Sequence, residues 1–487
     1  MAKRVTVIDI GSNSVRMVVY EKTSRFAFHL LHEAKSKVRI SENAYQNNGN
    51  LQEKPMLRTF NALRDMISIA ASFNTRKTIC VATSALRDAP NKKEFLQKVK
   101  QELKLNIKII DGTKEAYFGG IACANLLPKQ TNALSVDIGG GSTEFSIIND
   151  KNVTDTISLK LGTVRLKELF FDNDNVNEAI KYIDTKLEAL DNLKASTIIG
   201  IGGTFRALST AIMNNENYPL DKIHGFECSD LIFKDFISSI LNADNDSLSK
   251  LGIKGDRFDV IKPGALILDR LLKKLKIKTL IASGVGVREG VYLSDLLRNS
   301  KDKFPNNYNT SVKYLLDSNI QESNYSNQLN QLSKKLFDLT YNHLDIDISC
   351  RYELGIAAKL FPIGNNIHFY SKNKHSYYLI QTALEYGFTH KQIILIATIA
   401  KYVKKRSPSA RHLEKYKVIL PDTSVIESLS YILSLSIALL SHRPRNIDFN
   451  VLYDEGKLII ESKDSMYLSQ EAVKRLNGIK NIAIEFK

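Results

Sequence analysis

Asp9-Ile10-Gly11-Ser12-Asn13-Ser14-Val15-Arg16 and Asp137-Ile138-Gly139-Gly140-Gly141-Ser142-Thr143-Glu144 are two versions of one pattern. Each follows a run of strand-forming residues, Val5-Thr6-Val7-Ile8 in the first case and Leu134-Ser135-Val136 in the second. In both, an acidic residue ends the strand, small residues make a tight turn and a second strand returns. A duplicated hairpin of this kind predicts two similar α/β units whose hairpins form the walls of a cleft. Turns built from Gly, Ser and Asn let backbone N–H groups converge on an anion. The hydroxyls of Ser12, Ser14, Ser142 and Thr143 add donors. Asp9 and Asp137 would repel a phosphate set directly against them, so they read as carboxylates behind a divalent cation. Magnesium keeps several waters and takes only one or two carboxylates, which suits such a place. A single Asp-Ile-Gly is an ordinary turn; two in register, each after an apolar strand, point to a phosphate-and-metal cleft.

Outward from the hairpins, the first three hundred residues alternate strand-like and helix-like segments. Strands are predicted at Val5–Asp9, Arg16–Tyr20, Thr78–Ala82, Ile107–Ile110, Leu134–Asp137, Phe145–Ile148, Thr197–Ile201 and Thr279–Ala282, all rich in Val, Ile or Thr. Amphipathic helices are predicted between them, among them Met56–Ser72 and Lys92–Glu102. Such alternation is the signature of an α/β fold. Two further glycine loops, Gly200-Ile201-Gly202-Gly203-Thr204 and Ser283-Gly284-Val285-Gly286, each lead a strand into a helix, where free N–H groups can hold phosphate. Asn299–Ser311 is polar and reads as a linker. Beyond it the pattern is nearly all helical to about Leu440, and Asn446–Lys487 reads as a small α+β cap: two strands across an Asp-Glu-Gly turn, a helix, and a last strand over Ile482–Phe486.

The bulk properties narrow the field. The 487 residues are 43% hydrophobic and 25% charged, an ordinary globular balance for about three domains. Four scattered cysteines form no CxxC pair, so neither a zinc site nor a disulfide framework is expected. The N-terminus lacks a signal-peptide pattern, and Tyr431–Leu440 is too short to span a membrane. A cytoplasmic protein is expected, without membrane contact. The formal charge of +16 attracts polyanions in general. No zinc finger, RNA-binding aromatic motif or compact basic run favours nucleic acid.

The order Asp9-Ile-Gly-Ser-Asn-Ser14, Ala82-Thr-Ser-Ala-Leu-Arg87-Asp-Ala, Gly112-Thr-Lys-Glu115-Ala, Asp137-Ile-Gly-Gly-Gly-Ser-Thr-Glu144, Gly202-Gly-Thr204 and Ser283-Gly-Val-Gly-Val-Arg-Glu-Gly290 closely resembles the exopolyphosphatase and guanosine pentaphosphate phosphohydrolase (Ppx/GppA) family. The resemblance runs from about Val5 to Leu297. It implies two actin-like (ribonuclease-H-like) domains around a cleft, here over residues 1–120 and 121–298, with the helix near 286–300 joining the first. It also implies hydrolysis of the terminal phosphoanhydride of inorganic polyphosphate, of pppGpp (to ppGpp), or of both, with Mg2+. By position, Glu115 matches the general base and Arg87 the arginine that grips substrate phosphate. Asp9, Asp137 and Glu144 match the metal-binding acids. Ser12, Asn13, Ser14, Gly139, Gly140, Gly141, Ser142, Gly203 and Thr204 match the phosphate loops. Two departures stand out: Lys114 occupies a place where many members carry a second acid, and Tyr117 one where an arginine is frequent.

Longer members of that family carry a third domain similar to the HD phosphohydrolase fold, expected here over residues 312–487 with the cap. An active HD site needs a His-Asp pair; at that place stands Phe361-Pro362, leaving His368 and His375. A degenerate metal motif, no second active site and a role in shaping a channel or a homodimer are the expectations. Lys401, Lys404, Lys405, Arg406 and Arg411 either guide a polyanion or form a solvated helix end. Two other readings stay open: an actin-like kinase of a small acid or sugar, and a non-catalytic polyphosphate or alarmone sensor.

Overall fold

The predicted duplication appears as two sheets built on one plan. In the first, β1 (Arg4–Ile10) and β2 (Val15–Lys22) form an antiparallel hairpin, β3 (Phe28–Ser36) extends it antiparallel to β2, and β4 (Lys77–Ala82) and β5 (Ile107–Ile109) add parallel strands on the far side of β1. The order is β3-β2-β1-β4-β5. In the second, β6 (Ala133–Ile138), β7 (Thr143–Asn149) and β8 (Asn152–Leu159) repeat the antiparallel trio, and β9 (Thr197–Ile201) takes the parallel place beside β6. The short β10 (Glu227–Ser229) and β11 (Thr279–Ala282) complete the order β10-β11-β9-β6-β7-β8. Two sheets with an antiparallel trio and parallel additions are the ribonuclease-H-like, actin-like arrangement the resemblance implies. The computed structural model describes residues 4–320, 323–404, 407–476 and 482–487.

Three strands escape the pattern reading. β3 and β8 are edge strands: residues such as His29, Glu33 and Lys35, or Asn152, Thr154 and Asp155, dilute the apolar alternation. Edge strands tolerate, and often favour, such charges. β10 spans only three residues.

The helix Gly112–Leu126 is buried at most of its positions and packs on β7 and β8. It runs unbroken across 120/121, where the sequence pattern places a domain boundary. Asp111 caps it, its carboxylate accepting from the Lys114 N–H at 2.7 Å. Ser146 on β7 donates to the Ala116 carbonyl at 2.6 Å. The first turn of this helix, with Glu115, is therefore held from both ends. The helix Val287–Leu296 crosses it so closely that a Cβ on Gly290 would lie 1.9 Å from the Phe118 carbonyl oxygen. The same helix also packs on β1.

Residues 309–487 form a unit of their own. Its core gathers side chains from Thr310–Asn319, Asn324–Leu344, Cys350–Leu360, His390–Lys401 and Thr423–Leu439, closed by the strands β12 (Phe449–Asp454), β13 (Lys457–Ser462) and β14 (Ala483–Phe486). Thr423–Leu439 is a buried core helix whose serines bond inward: Ser434 to the Ser430 carbonyl, Ser436 to that of Ile432, and Ser333 to Ser436. Among the described residues no helix is long and apolar enough to cross a membrane. Phe361 is buried in this core and opens a 3-10 turn, Phe361–Asn366. That turn breaks the helix, so His368 and His375 share no continuous helical face. No cluster of three His, Cys, Asp or Glu able to hold a metal occurs among the described residues. Lys405 and Arg406 lie outside the described residues.

Candidate active site

Both hairpins close with the same four-residue turn: the Gly11 N–H donates to the Ser14 carbonyl at 3.1 Å, and the Gly139 N–H to that of Ser142 at 2.9 Å. Asp9 and Asp137 occupy the same place at the strand ends, and what lies across from them differs. Asp9 pairs in register with Arg16, Asp137 with Glu144. Directly opposed residues on an antiparallel pair put their side chains on one face about 5 Å apart. The first hairpin thus carries an acid–base pair and the second an acid–acid pair.

The two hairpins face a common cavity of about 170 Å³. Its lining includes Asp9, Ser12, Asn13, Ser14, Glu115, Asp137, Gly139, Gly140, Ser142, Glu144, Gly203 and Thr204, twelve of the fourteen residues expected at the site. The other two stand behind it. Gly141 is overlaid by Tyr45, Ser84 and Ser12; a Cβ there would lie 2.4 Å from the Tyr45 hydroxyl. The Arg87 guanidinium donates to the Ile110 carbonyl and to Glu115, both at 3.0 Å. Arg87 therefore orients Glu115 in this structure. Gly202 is required twice over: its φ is +87°, and a Cβ would sit 2.5 Å from Asp137 Oδ1.

The carboxyls are out of solvent and close to one another. Burial pushes Glu144 up to about 8, with Asp137 adding to it, while hydrogen bonds from Ser142 and Ser158 and the charge of Arg87 oppose the shift. Ser158 Oγ donates to Glu144 Oε1 at 2.9 Å. Glu115 is raised well above the usual carboxylate range by burial and by Glu144, which together outweigh Arg87. Burial raises Asp137 also, against Arg206 and Arg16. Asp9 is pushed up to about 6 by burial, against Arg288 and Arg16. The residue keeps some surface, yet its Oδ1 is sealed from solvent and has no hydrogen-bond partner among the described residues.

Cations outside the predicted set of site residues share the cavity with the acids. Arg16, Lys35, Lys37, Arg206, Arg257 and Arg288 all line the cavity. Burial, with the neighbouring Arg206 and Arg288 adding to it, lowers Arg16 to about 10. Arg206 is lowered likewise, by burial and then by Arg288. Arg288 keeps its charge firmly: burial opposes it, but Glu289, Tyr20 and Glu33 prevail, with Arg288 Nη1 2.7 Å from Glu33 Oε1. Glu289 is fixed in turn by the Tyr20 hydroxyl at 2.6 Å and the Gly286 N–H at 2.7 Å. Arg16 and Arg288 belong to the quoted motifs, so position alone would have flagged them. Lys35 and Lys37 follow from recognising β3, whereas nothing local marks Arg257. Lys114 and Tyr117 turn away from the cavity: Lys114 lies over the Tyr117 ring at 4.5 Å, and the Tyr117 hydroxyl donates to Asp302.

A magnesium ion fits this set in one form and not in another. Asp9, Asp137 and Glu144 do not make a three-carboxylate cage. The partnerless Asp9 Oδ1 and the crowded, desolvated Asp137 suit an ion held by one or two carboxylates and completed by water and substrate oxygens.

The family model for the Ppx/GppA phosphatase family matches residues 18–299, and that for Ppx/GppA phosphatase domain III matches residues 310–475. A bifunctional 3-dehydroquinate synthase/phosphatase of Fusobacterium nucleatum subsp. nucleatum is 33% identical over 286 residues, which are 54% of this chain and 42% of that protein. The chain thus spans less than half the length of that relative. A guanosine-5'-triphosphate,3'-diphosphate pyrophosphatase of Vibrio parahaemolyticus is 27% identical over 95% of this chain and 92% of its own length. Among solved structures, the Aquifex aeolicus member of the Ppx/GppA protein family superposes with a TM-score of 0.53 at 29% identity, covering 62% of this chain and 99% of that one. An exopolyphosphatase from Cytophaga hutchinsonii shares the fold, with a TM-score of 0.57 at 23% identity over 62% of this chain and all of that one.

Proposed function

This chain belongs to the Ppx/GppA phosphatase family, and from that premise we propose that it removes the terminal phosphate of inorganic polyphosphate and of pppGpp, by a Mg2+-assisted attack of water. The observation that carries the reading is the crowding of Arg16, Arg206 and Arg288 around one small cavity that Glu115, Asp137 and Glu144 also line. Burial and the neighbouring Arg288 disfavour the charged forms of Arg16 and Arg206, so a bound polyanion is what this cluster would gain from most. The cavity, about 170 Å³, is small beside the roughly 300–1,000 Å³ of ordinary small-molecule pockets. It suits the last phosphates of a chain whose remainder lies outside.

In the proposed reaction the terminal phosphoryl group rests between the turns at Ser12–Ser14 and Gly139–Ser142, whose N–H and hydroxyl groups donate to its oxygens. Phosphoryl transfer asks mainly for positioning and charge neutralisation. Glu115, held by Arg87, takes a proton from water as the water oxygen bonds to phosphorus. The bridging P–O bond breaks, its electrons pass to the departing chain, and inorganic phosphate is released. The raised pKa of Glu115 makes it a stronger base than a solvated carboxylate once it is ionised. Magnesium bound beside Asp137 and Asp9 would neutralise phosphate charge and favour the ionised forms of these acids.

Phosphate release from polyphosphate and from pppGpp, measured with magnesium for the wild type and for Glu115→Gln, tests this. Release from both by the wild type and a large loss in the variant are expected. No release from either substrate by the wild type overturns the hydrolase reading; equal release by the variant overturns the role of Glu115 alone.

A further inference from the structure

A second cavity, of about 510 Å³, opens at the other end of the first sheet. It lies where β1 begins, β2 ends and β4 begins, at Arg4, Lys22 and Lys77. Asp9 is five residues along β1, so at about 3.3 Å per residue the two cavities stand roughly 17 Å apart along the strand. The size falls within the range of small-molecule pockets, about 300–1,000 Å³.

Its lining is strongly basic. Arg4, Lys22, Arg25, Arg76, Lys77 and Arg298 contribute cations, and Asp295 is the one carboxylate among the described lining residues. Asp295 serves both Lys77 at 2.6 Å and Arg298 at 3.3 Å, and Arg4 is held by Glu21 at 2.8 Å from outside the cavity. Cations concentrated this way raise the local concentration of anions.

A second observation points to a ligand. Tyr292, which is 2% exposed, lines the same cavity, and its hydroxyl is sealed from solvent with no hydrogen-bond partner among the described residues. Its ring is fixed between Tyr20 at 4.4 Å and Phe28 at 4.8 Å, so the hydroxyl cannot swing away to find one. A buried donor left unpaired costs about 1–3 kcal/mol. An unpaired phenol at the wall of a cationic cavity calls for an oxygen acceptor carrying negative charge.

We propose that this cavity is a second binding site, distinct from the catalytic cleft, for a small molecule bearing two or more linked phosphates. Arginine and lysine grip its phosphates and the Tyr292 hydroxyl donates to one of their oxygens. Such a molecule is either an inorganic oligophosphate or a nucleotide. Phe26, also in the lining with Arg25 4.9 Å above its ring, gives a base something to lie against.

Calorimetric titration of the full chain tests the proposal, with Glu115→Gln as the parent to prevent turnover. Tripolyphosphate and GDP are the probes. Two binding events are expected for at least one probe. Adding Arg25→Glu and Arg76→Glu, both at exposed positions, should abolish one event and leave the other within about twofold. Tyr292→Phe, which keeps the ring packing, should weaken that same event several-fold. Phe26→Leu separates the sources: loss of affinity for GDP alone identifies a nucleotide site, and no change for tripolyphosphate or GDP identifies an oligophosphate site. A single event with both probes, or two events untouched by the charge reversals, overturns the proposal.

Discussion

The two hairpins share a backbone and differ in one cross-strand partner. Asp9 faces Arg16 and Asp137 faces Glu144. Opposite charges across a strand pair stabilise it, and like charges destabilise it. The first hairpin is therefore close to electrostatic balance. The second concentrates acid: burial raises Glu144 to about 8, and burial together with Glu144 raises Glu115 well above the usual carboxylate range. The two turns share one backbone hydrogen bond, and on the proposed reading one exchange of sign separates them: Arg16 adds a cation for the substrate on the first hairpin, where Glu144 adds a second acid on the other.

The hardest blow to this division is Glu115→Gln, which should lower phosphate release by about 10²–10⁴-fold, the usual worth of a general base. A steady-state assay decides it. Next in size, Asp137→Asn and Arg16→Gln should fail in different ways. Removing the Arg16 charge should raise KM about 10–100-fold, in keeping with the roughly 1.5–3 kcal/mol of a hydrogen bond to a charged group, and leave the magnesium requirement alone. Asp137→Asn should instead raise the magnesium concentration needed for half-maximal rate. Titrating magnesium at saturating substrate for both variants separates them; identical shifts would erase the distinction between the hairpins.

A smaller effect should appear in stability. The folded protein binds a proton at Glu144 up to about pH 8, whereas the unfolded chain releases it near 4.5. The native state thus holds this extra proton between these values, so Glu144 by itself should make metal-free stability fall as pH rises from about 4.5 to 8, by at most ~1.4 kcal/mol per unit. Denaturant unfolding with a chelator present should show this slope, and Glu144→Gln should flatten it. The smallest effect belongs to the contacts that reach from just beyond β3 to the second half: Lys37 and Arg39 pair with Asp259, and Lys37 also meets the Asp256 carbonyl. These charges are partly solvated, so Arg39→Gln should cost under about 1 kcal/mol and lose even that in high salt, as thermal unfolding at two ionic strengths would show.

Much of this was legible because strands and turns obey local rules. The predicted strands over Thr197–Ile201 and Thr279–Ala282 match the observed ones residue for residue, since apolar β-branched runs ending at small residues leave little choice. The hairpins announced themselves by repetition. What could not be read was anything set by one half meeting the other. Arg87 reads as a phosphate clamp, but its contact with Glu115 depends on how the turn after β4 meets the first turn of the helix Gly112–Leu126. Arg257 reaches the cleft from a 3-10 turn, and lies over Gly203, where a Cβ would be 2.8 Å from its Nη1. Phe361-Pro362 showed what the helical unit lacks; only the folded chain shows that the substitution continues its apolar core.

The closeness of the two turns has a geometric corollary. A Cβ on Gly140 would lie 2.9 Å from Ser12 Cβ, one on Gly141 3.0 Å from Ser12 Oγ, and Gly162 closes in on Gly140 from behind. The loops touch at that point, so a strand of linked phosphates does not pass between Ser12 and Gly140–Gly141. On the proposed reading, the site is a dead end and not a corridor: it inspects a terminus, so a closed ring of phosphates, having none, would offer it nothing to cut.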